Sequence, residues 1–248
     1  MKNKTLWKQV GAAAIAAAMV MSTVPATPVQ AAGGKTLAVS SQKQLNQALK
    51  TVKGKNAVIT VKAGKNVKIT IPKGTYKVTI RVVGKKAAVV NNGTVKEIVV
   101  NSKGTVAIKN NGTIKKVTVQ NAKSVSFSGN HKKAVPVVVN AEDVSMILAA
   151  PAKITAKKDV NIVLKKGAEK SSITCTKNVQ AQVDNQTKKA ISVKIADGTT
   201  LKVESGESCT ITPKGKKEDT SGEDKTDEKD KTDGKDQKTD DTSDGNAS

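Results

Sequence analysis

The sequence predicts an all-β protein built as a parallel β-helix, or β-solenoid, with coils of about 19 residues. One observation is a repeat: NNGTVKEIVVN, which begins at Asn91, returns as NNGTIKKVTVQN at Asn110. A second is composition, because after position 31 the aromatic residues are one Tyr and one Phe, and the core must consist of Val, Ile, Leu and Ala. A third is the spacing of short apolar runs, which recur at nearly even intervals, two to a repeat, between positions 57 and 211.

Each repeat unit is interpreted as two short strands joined by turns. In the second run of the unit, Val106 and Ile108 alternate with small or charged residues, which indicates a strand buried on one face. Asn-Gly pairs then turn the chain. In a stack, Asn91 and Asn110 would occupy equivalent corners and form a ladder of amide hydrogen bonds. That ladder serves either turn formation, which the Asn-Gly pairs favour, or recognition of a polar ligand.

Residues 1–31 are predicted to be a secretory signal peptide. Three lysines precede an Ala-rich apolar stretch, and a small-residue motif predicts cleavage between Ala31 and Ala32. No other stretch is apolar enough to span a bilayer. The sequence therefore predicts a secreted protein that is extracellular or associated with the cell wall.

The rest of the chain divides into three parts. Residues 32–56 are predicted to form a lead-in strand and a capping helix, in which Leu45, Ala48 and Leu49 make one apolar stripe. Residues 57–213 are predicted to form the β-solenoid. Residues 214–248 contain no Val, Ile, Leu or aromatic residue and carry charges of both signs, which predicts a disordered tail.

The entrance to the strand array carries a family resemblance. AVSS at 38–41, the helix that ends at Leu49, and AVITV at 57–61 resemble the start of right-handed parallel β-helix proteins. This pectin-lyase-like family includes polysaccharide lyases, adhesin passengers and exported bacterial surface proteins. The resemblance covers most of residues 36–212 and implies a surface or adhesin-type protein. Coils of that family are usually longer than the repeat seen here, so a two-sided solenoid stays open, and a string of immunoglobulin-like sandwiches is the rival fold.

Charge is the main clue to a partner. Residues 32–213 hold 32 basic and nine acidic residues, a net charge of +23, and every cation except Arg81 is a lysine. Such a charge attracts anionic polymers, which indicates a cell-wall or host polysaccharide as partner. The alternative is that the lysines protect exposed strands from aggregation. Lysine without arginine or aromatic neighbours reads bases poorly, so no specific nucleic-acid binding is expected.

No catalytic, cofactor or metal site is predicted. Glu142 and Asp143 are the only adjacent acids in the body, and the paired-Asp, His-Gly and calcium-binding motifs of the resembling enzymes are absent. His131, the only histidine, is predicted to be a solvent-facing turn residue. Cys175 and Cys209 permit a disulfide in an exported protein, with two buried thiols as the alternative.

These observations predict a secreted, non-catalytic β-solenoid with a structural or adhesive role, whose lysine-rich faces bind anionic polymers. The first alternative is a pectate-lyase-like enzyme on acidic glycans, which requires a groove with at least three convergent carboxylates. The second is a scaffold module that packs on another surface protein, which requires an uncovered final coil near Ile211. The sequence assigns no oligomeric state.

Overall fold

A computed structural model describes residues 35–63, 66–212 and 217–218. The predicted signal peptide with its predicted cleavage site at Ala31 and Ala32, and the tail other than 217–218, lie outside these residues. The helix α1 spans Gln42–Thr51. The strands are β1 (Lys35–Val39), β2 (Ala57–Ala63), β3 (Val67–Ile71), β4 (Thr75–Asn91), β5 (Thr94–Asn110), β6 (Thr113–Ile114), β7 (Val117–Asn121), β8 (Ser124–Gly129), β9 (Val135–Val139), β10 (Val144–Ala149), β11 (Ala152–Ala156), β12 (Val160–Leu164), β13 (Ser172–Cys175), β14 (Ala181–Asn185), β15 (Ile191–Lys194), β16 (Thr200–Val203), β17 (Ser208–Ile211) and β18 (Lys217–Glu218).

The strands stack as a parallel β-solenoid of about eight turns. Face 1 consists of β1, β2, the first half of β4, the first half of β5, β7, β9, β11, β13 and β15. Face 2 consists of β3, the second halves of β4 and β5, β8, β10, β12 and β14. Asn91 pairs with Asn110, so the two copies of the sequence repeat lie in register in neighbouring coils. The prediction of a solenoid with coils of about 19 residues is confirmed.

The core is a set of aliphatic columns that run along the stack. Successive side chains of a strand point to opposite faces, so alternate residues enter the interior. The central column of face 1 is buried at every coil and consists of Ile59, Ile80, Ile98, Val117, Val137, Ile154 and Ile173. Each such side chain contributes about 1.5–3 kcal/mol through removal from water. The parallel pairing excludes the immunoglobulin-like sandwiches, which are antiparallel.

Early coils have a short third side. Thr94–Val95 pair with Thr113–Ile114 of β6 between the end of face 2 and the start of face 1. Among the described residues, β6 pairs only with β5. In the next coil the loop 130–134 takes the place of this side, and after β10 only the short link 150–151 connects the faces. The solenoid therefore changes from three-sided to two-sided coils at the loop 130–134.

The N-terminal end is closed by α1. Ser41 caps the helix by accepting a hydrogen bond from Gln44 N, and Leu45 and Leu49 are buried against the first coil. Gln42 completes the closure, because its amide oxygen accepts from Thr70 N at 2.7 Å and its amide nitrogen donates to Thr70 O at 2.8 Å. The side chain thus replaces a neighbouring strand at the open edge of β3.

The C-terminal end is closed by a reversal of the chain, which the sequence did not predict. Strand β16 pairs antiparallel with β15, and β17 pairs antiparallel with β14. A turn with Ile195 N bonded to Thr199 O joins β15 to β16, and Gly198 supplies the positive φ of 92° that it requires. Lys217–Glu218 pair with β17, so strand structure extends into the region predicted to be disordered from residue 214. Ile211 is buried.

We predict that Gln42→Ala opens the N-terminal edge of β3. The substitution leaves two partly buried backbone groups of Thr70 unpaired, which costs about 1–3 kcal/mol. Amide hydrogen exchange at Thr70 should become faster, and the urea midpoint should fall. Gln47→Ala, on an exposed position of the same helix, is the control. Equal exchange at Thr70 in both variants would contradict this role of Gln42.

Candidate functional site

The lysines of the solenoid gather along one of its edges. We define the basic edge as the segments that lead from face 2 back to face 1, at 72–77, 92–96, 111–116, 130–134, 165–171 and 186–190. These segments hold twelve lysines, all exposed, with Glu169 as their one carboxylate. The twelve are Lys73, Lys77, Lys96, Lys115, Lys116, Lys132, Lys133, Lys165, Lys166, Lys170, Lys188 and Lys189.

The opposite edge, where the chain passes from face 1 to face 2, carries much less positive charge. Its described turns, together with that of the reversing layer, hold seven lysines and four acids, namely Lys85, Lys86, Lys103, Lys123, Lys157, Lys158, Lys177, Glu142, Asp143, Asp159 and Asp197. The outward columns of the flat faces are largely neutral; one on face 2 consists of Thr105, Ser124, Ser145, Asn161 and Gln182. The sequence placed the lysines on the faces, whereas the structure places most of them at the edges.

Stacking concentrates the potential of the basic edge. Successive coils are about 4.8 Å apart, so the lysines from successive layers line roughly 30 Å of the stack. The Debye length at physiological salt is about 8 Å, and the lysines of adjacent coils therefore reinforce one another. Among the described segments that lead from face 2 to face 1, the link 150–151 carries no lysine, and the lysines of the other six segments form one cationic surface along the edge.

Few carboxylates neutralise this surface. Within the described residues Lys116 is the only one of the twelve lysines that forms an ion pair, with Glu97 at 3.0 Å. The pKa of Glu169 is lowered mainly by hydrogen bonds from Gly167 N, with smaller contributions from Lys166 and from the charge of Lys189. Glu204 and Glu207 lie in the turn of the reversing layer, at the C-terminal end of the edge.

Buried asparagines support the turns of this edge. Asn91 and Asn110 are fully buried, and Asn91 Nδ2 donates to Asn110 Oδ1 at 2.8 Å and to Gly93 O at 2.9 Å. A second pair lies at the surface, where Asn111 Nδ2 donates to Asn92 Oδ1 at 3.0 Å. Asn91 and Asn110 are buried, and their hydrogen bonds join the turns of successive coils. This arrangement fits a role in turn formation.

The inner ladder ends at Asn110. The residue in register one coil further is Gly129, which offers no side-chain acceptor. It has φ 135°, and a Cβ there would overlap the backbone of Asn110, so the position requires glycine. Asn110 Nδ2 is consequently buried without a hydrogen-bond partner. In the described part of the chain, Arg81 Nε on face 1 is the only other buried side-chain nitrogen or oxygen atom without a hydrogen-bond partner.

His131 connects two coils at the end of the ladder, whereas the sequence predicted a solvent-facing turn residue. Its Nδ1 lies 3.2 Å from Asn110 O, and its Nε2 lies 2.9 Å from Pro151 O. Its ring meets Phe127 edge to face at 5.2 Å. The sequence could not reveal this contact, because it depends on the loop 130–134 folding back between its two neighbouring layers.

A cleft of about 300 Å³ opens on the basic edge beside His131. It lies where β6 has no parallel partner in the following coil, at the change from three-sided to two-sided coils. The residues that line it are Asn110, Gly112, Thr113, Ile114, His131, Lys132, Lys133, Ala134 and Val135. Sequence reasoning noted His131 and its two lysines but not the cleft that they border.

Cys175 and Cys209 are both buried in the structure. Cys209 lies opposite Val183 on β14, in the layer next to the coil of Cys175. The reversal of the chain brings about this proximity, which their separation along the sequence did not indicate. Burial raises the pKa of Cys175 to about 11, and the nearby Cys209 adds to the shift. The predicted disulfide stays a prediction.

The carboxylates do not converge in the described residues. Asp143 and Asp159 border a cavity of about 260 Å³ that is otherwise lined mainly by amide side chains, and Asp159 Oδ1 accepts from Gln180 N. Across the described ranges, no group of three or more His, Cys, Asp or Glu side chains is placed to hold a metal ion. None of the described helices has the length and apolarity needed to cross a membrane.

Comparison with known proteins assigns this chain to no family. No protein-family model matches the chain, and no curated protein or solved structure is significantly similar to it. The structure shows the β-solenoid architecture, and the resemblance to pectin-lyase-like proteins stays a prediction. The geometry of the basic edge is the basis for any functional conclusion.

The two asparagine pairs should differ in their effect on stability. Asn91→Ala removes a buried amide and leaves Asn110 Oδ1 and Gly93 N without the partner that Asn91 supplies, so we expect a loss of about 2–3 kcal/mol in the free energy of unfolding. Asn111→Ala breaks an exposed contact, and a loss below about 0.5 kcal/mol is expected. Urea unfolding of both variants measures the difference. Similar losses would show that burial of the inner ladder is energetically unimportant.

Proposed function

We propose that this chain is a non-catalytic β-solenoid of the cell surface that binds an anionic cell-wall polysaccharide along its basic edge, in a structural or adhesive role. The observation that carries the proposal is the segregation of charge: twelve exposed lysines and three glutamates on one edge, counting Glu204 and Glu207 at its C-terminal end, against seven lysines and four acids on the other. Export by an N-terminal signal peptide is part of the same proposal.

The geometry suits a linear polymer better than a compact ligand. The lysines lie along the stack axis over roughly 30 Å, so one extended chain can contact several coils. Lysine ammonium groups attract phosphate, sulfate or carboxylate groups as point charges and select little between them. The affinity therefore comes from the sum of many weak, salt-sensitive contacts.

Two observations favour this function over its alternatives. An enzyme on acidic glycans would use convergent carboxylates, and the cavity at Asp143 and Asp159 has two. A scaffold that packs end to end would use an uncovered final coil, but Ile211 is buried and pairs with Lys217. Aggregation protection alone would place lysines at exposed strand edges, whereas these lysines follow the turns of one edge through the middle of the stack.

We predict that loss of charge on the basic edge weakens polymer binding more than equal loss on the opposite edge. The purified chain is sedimented with isolated anionic cell walls across a salt series, with and without removal of teichoic acids. The basic-edge variant is Lys115→Gln, Lys132→Gln, Lys165→Gln and Lys188→Gln. The matched opposite-edge variant is Lys85→Gln, Lys103→Gln, Lys123→Gln and Lys157→Gln.

The basic-edge variant should bind at least about tenfold more weakly at low salt, and the opposite-edge variant within about threefold of the unmodified chain. Binding should fall steeply with salt and disappear with the teichoic acids. Equal losses in the two variants would show that total charge, rather than the edge, governs binding. Absence of binding at low salt would refute the function altogether.

A further inference from the structure

We infer that the cleft beside His131 is a specific subsite on the basic edge, which binds one anionic, hydroxylated repeat unit of the polymer. The inference rests on the proposed function, because the cleft lies on the surface along which the polymer would run. It goes further in assigning a saturable site for a single unit: an acidic sugar or a polyol phosphodiester.

The first observation is an unpaired donor in the cleft wall. Asn110 is fully buried, its Oδ1 accepts from Asn91, and its Nδ2 has no partner. An unpaired buried amide N–H carries a penalty of about 1–3 kcal/mol. Asn185, the buried asparagine of the last coils, shows the usual arrangement, because its Nδ2 donates to three backbone carbonyl oxygens, including that of Val203. A ligand oxygen that reached Asn110 would remove the penalty.

The second observation is the charge around the cleft. Lys132 and Lys133 line it, and none of its lining residues is acidic. Both lysines are exposed and take part in no ion pair among the described residues. Their ammonium groups are therefore available to an anionic group, and charge-assisted hydrogen bonds of this kind are about twice as strong as neutral ones.

The third observation is the size and lining of the cleft. A volume of about 300 Å³ is at the small end of ligand pockets, which suits one sugar or polyol unit. Thr113 offers a hydroxyl group, while Ile114 and Val135 offer apolar surface. A unit with an anionic group, hydroxyl groups and a carbon skeleton complements this combination.

His131 holds the loop that borders the subsite. Its Nδ1 lies 3.2 Å from Asn110 O and its Nε2 lies 2.9 Å from Pro151 O, so the ring connects the loop 130–134 to the layers on either side. The imidazole also lines the cleft, which makes its signals a reporter of ligand binding.

The single histidine makes a direct test feasible. Imidazole NMR signals of the full chain are followed while a monomeric unit is added, in separate arms: galacturonic acid, and glycerophosphoglycerol as a phosphodiester. Both ligands are anionic at neutral pH. We expect saturable 1:1 binding in at least one arm, and the arm that binds identifies the polymer class.

Matched variants separate the subsite from the general charge of the edge. Lys132→Ala with Lys133→Ala should weaken monomer binding about tenfold or more. Lys165→Ala with Lys166→Ala, an equal loss of charge on the same edge but outside the cleft, should change it less than about twofold.

The subsite is refuted if neither monomer perturbs the His131 signals, or if both double-lysine variants lose monomer affinity equally. In either case the polymer can still sediment with the chain and depend on the basic edge, so failure of the subsite differs from failure of the proposed function.

Discussion

Parallel backbone pairing between successive coils is the constraint on which the rest of this structure depends. Each strand satisfies its N–H and C=O groups through the coil before and the coil after, so no coil is complete alone. The same pairing sets the register that places Ile59, Ile80 and Ile98 in one buried column. The ends lack a neighbouring coil, and each is closed in another way: Gln42 of α1 bonds to Thr70 at one end, and the chain reverses through β16 and β17 at the other.

The same constraint explains why much of the positive charge of the solenoid is concentrated on one edge. Inward positions must be apolar, and outward positions of the faces carry mostly small or neutral side chains, so turns are where lysine is tolerated. Turns of one kind stack on one edge, and those leading from face 2 to face 1 hold most of the lysines. The irregular coil at 130–134 borders a cleft on this edge, and Asn110, whose buried amide nitrogen is unpaired, also lines it.

Much of the fold was predictable because its signals are local. The short apolar runs between 57 and 211 were predicted to be strands because alternation and turn residues mark them, and β12 and β13 are examples in the structure. The reversal of the chain after β15 was not predictable from the sequence, because nothing in the apolar pattern of 200–203 distinguishes antiparallel from parallel pairing. Coil lengths vary along the stack, and they determine where His131 bridges two coils and at which edge the lysines lie. These two features could therefore be found only once the pairing of residues between coils was known.

The central claim, that one edge of the solenoid is the binding surface, is tested most directly by lysine footprinting. The chain is acetylated with and without a soluble anionic wall polymer, and the modification of each lysine is measured by mass spectrometry. Protection should follow the basic edge through successive coils, at Lys96, Lys115 and Lys165, while Lys85 and Lys103 stay reactive. Uniform protection, or protection centred on the opposite edge, would contradict the claim.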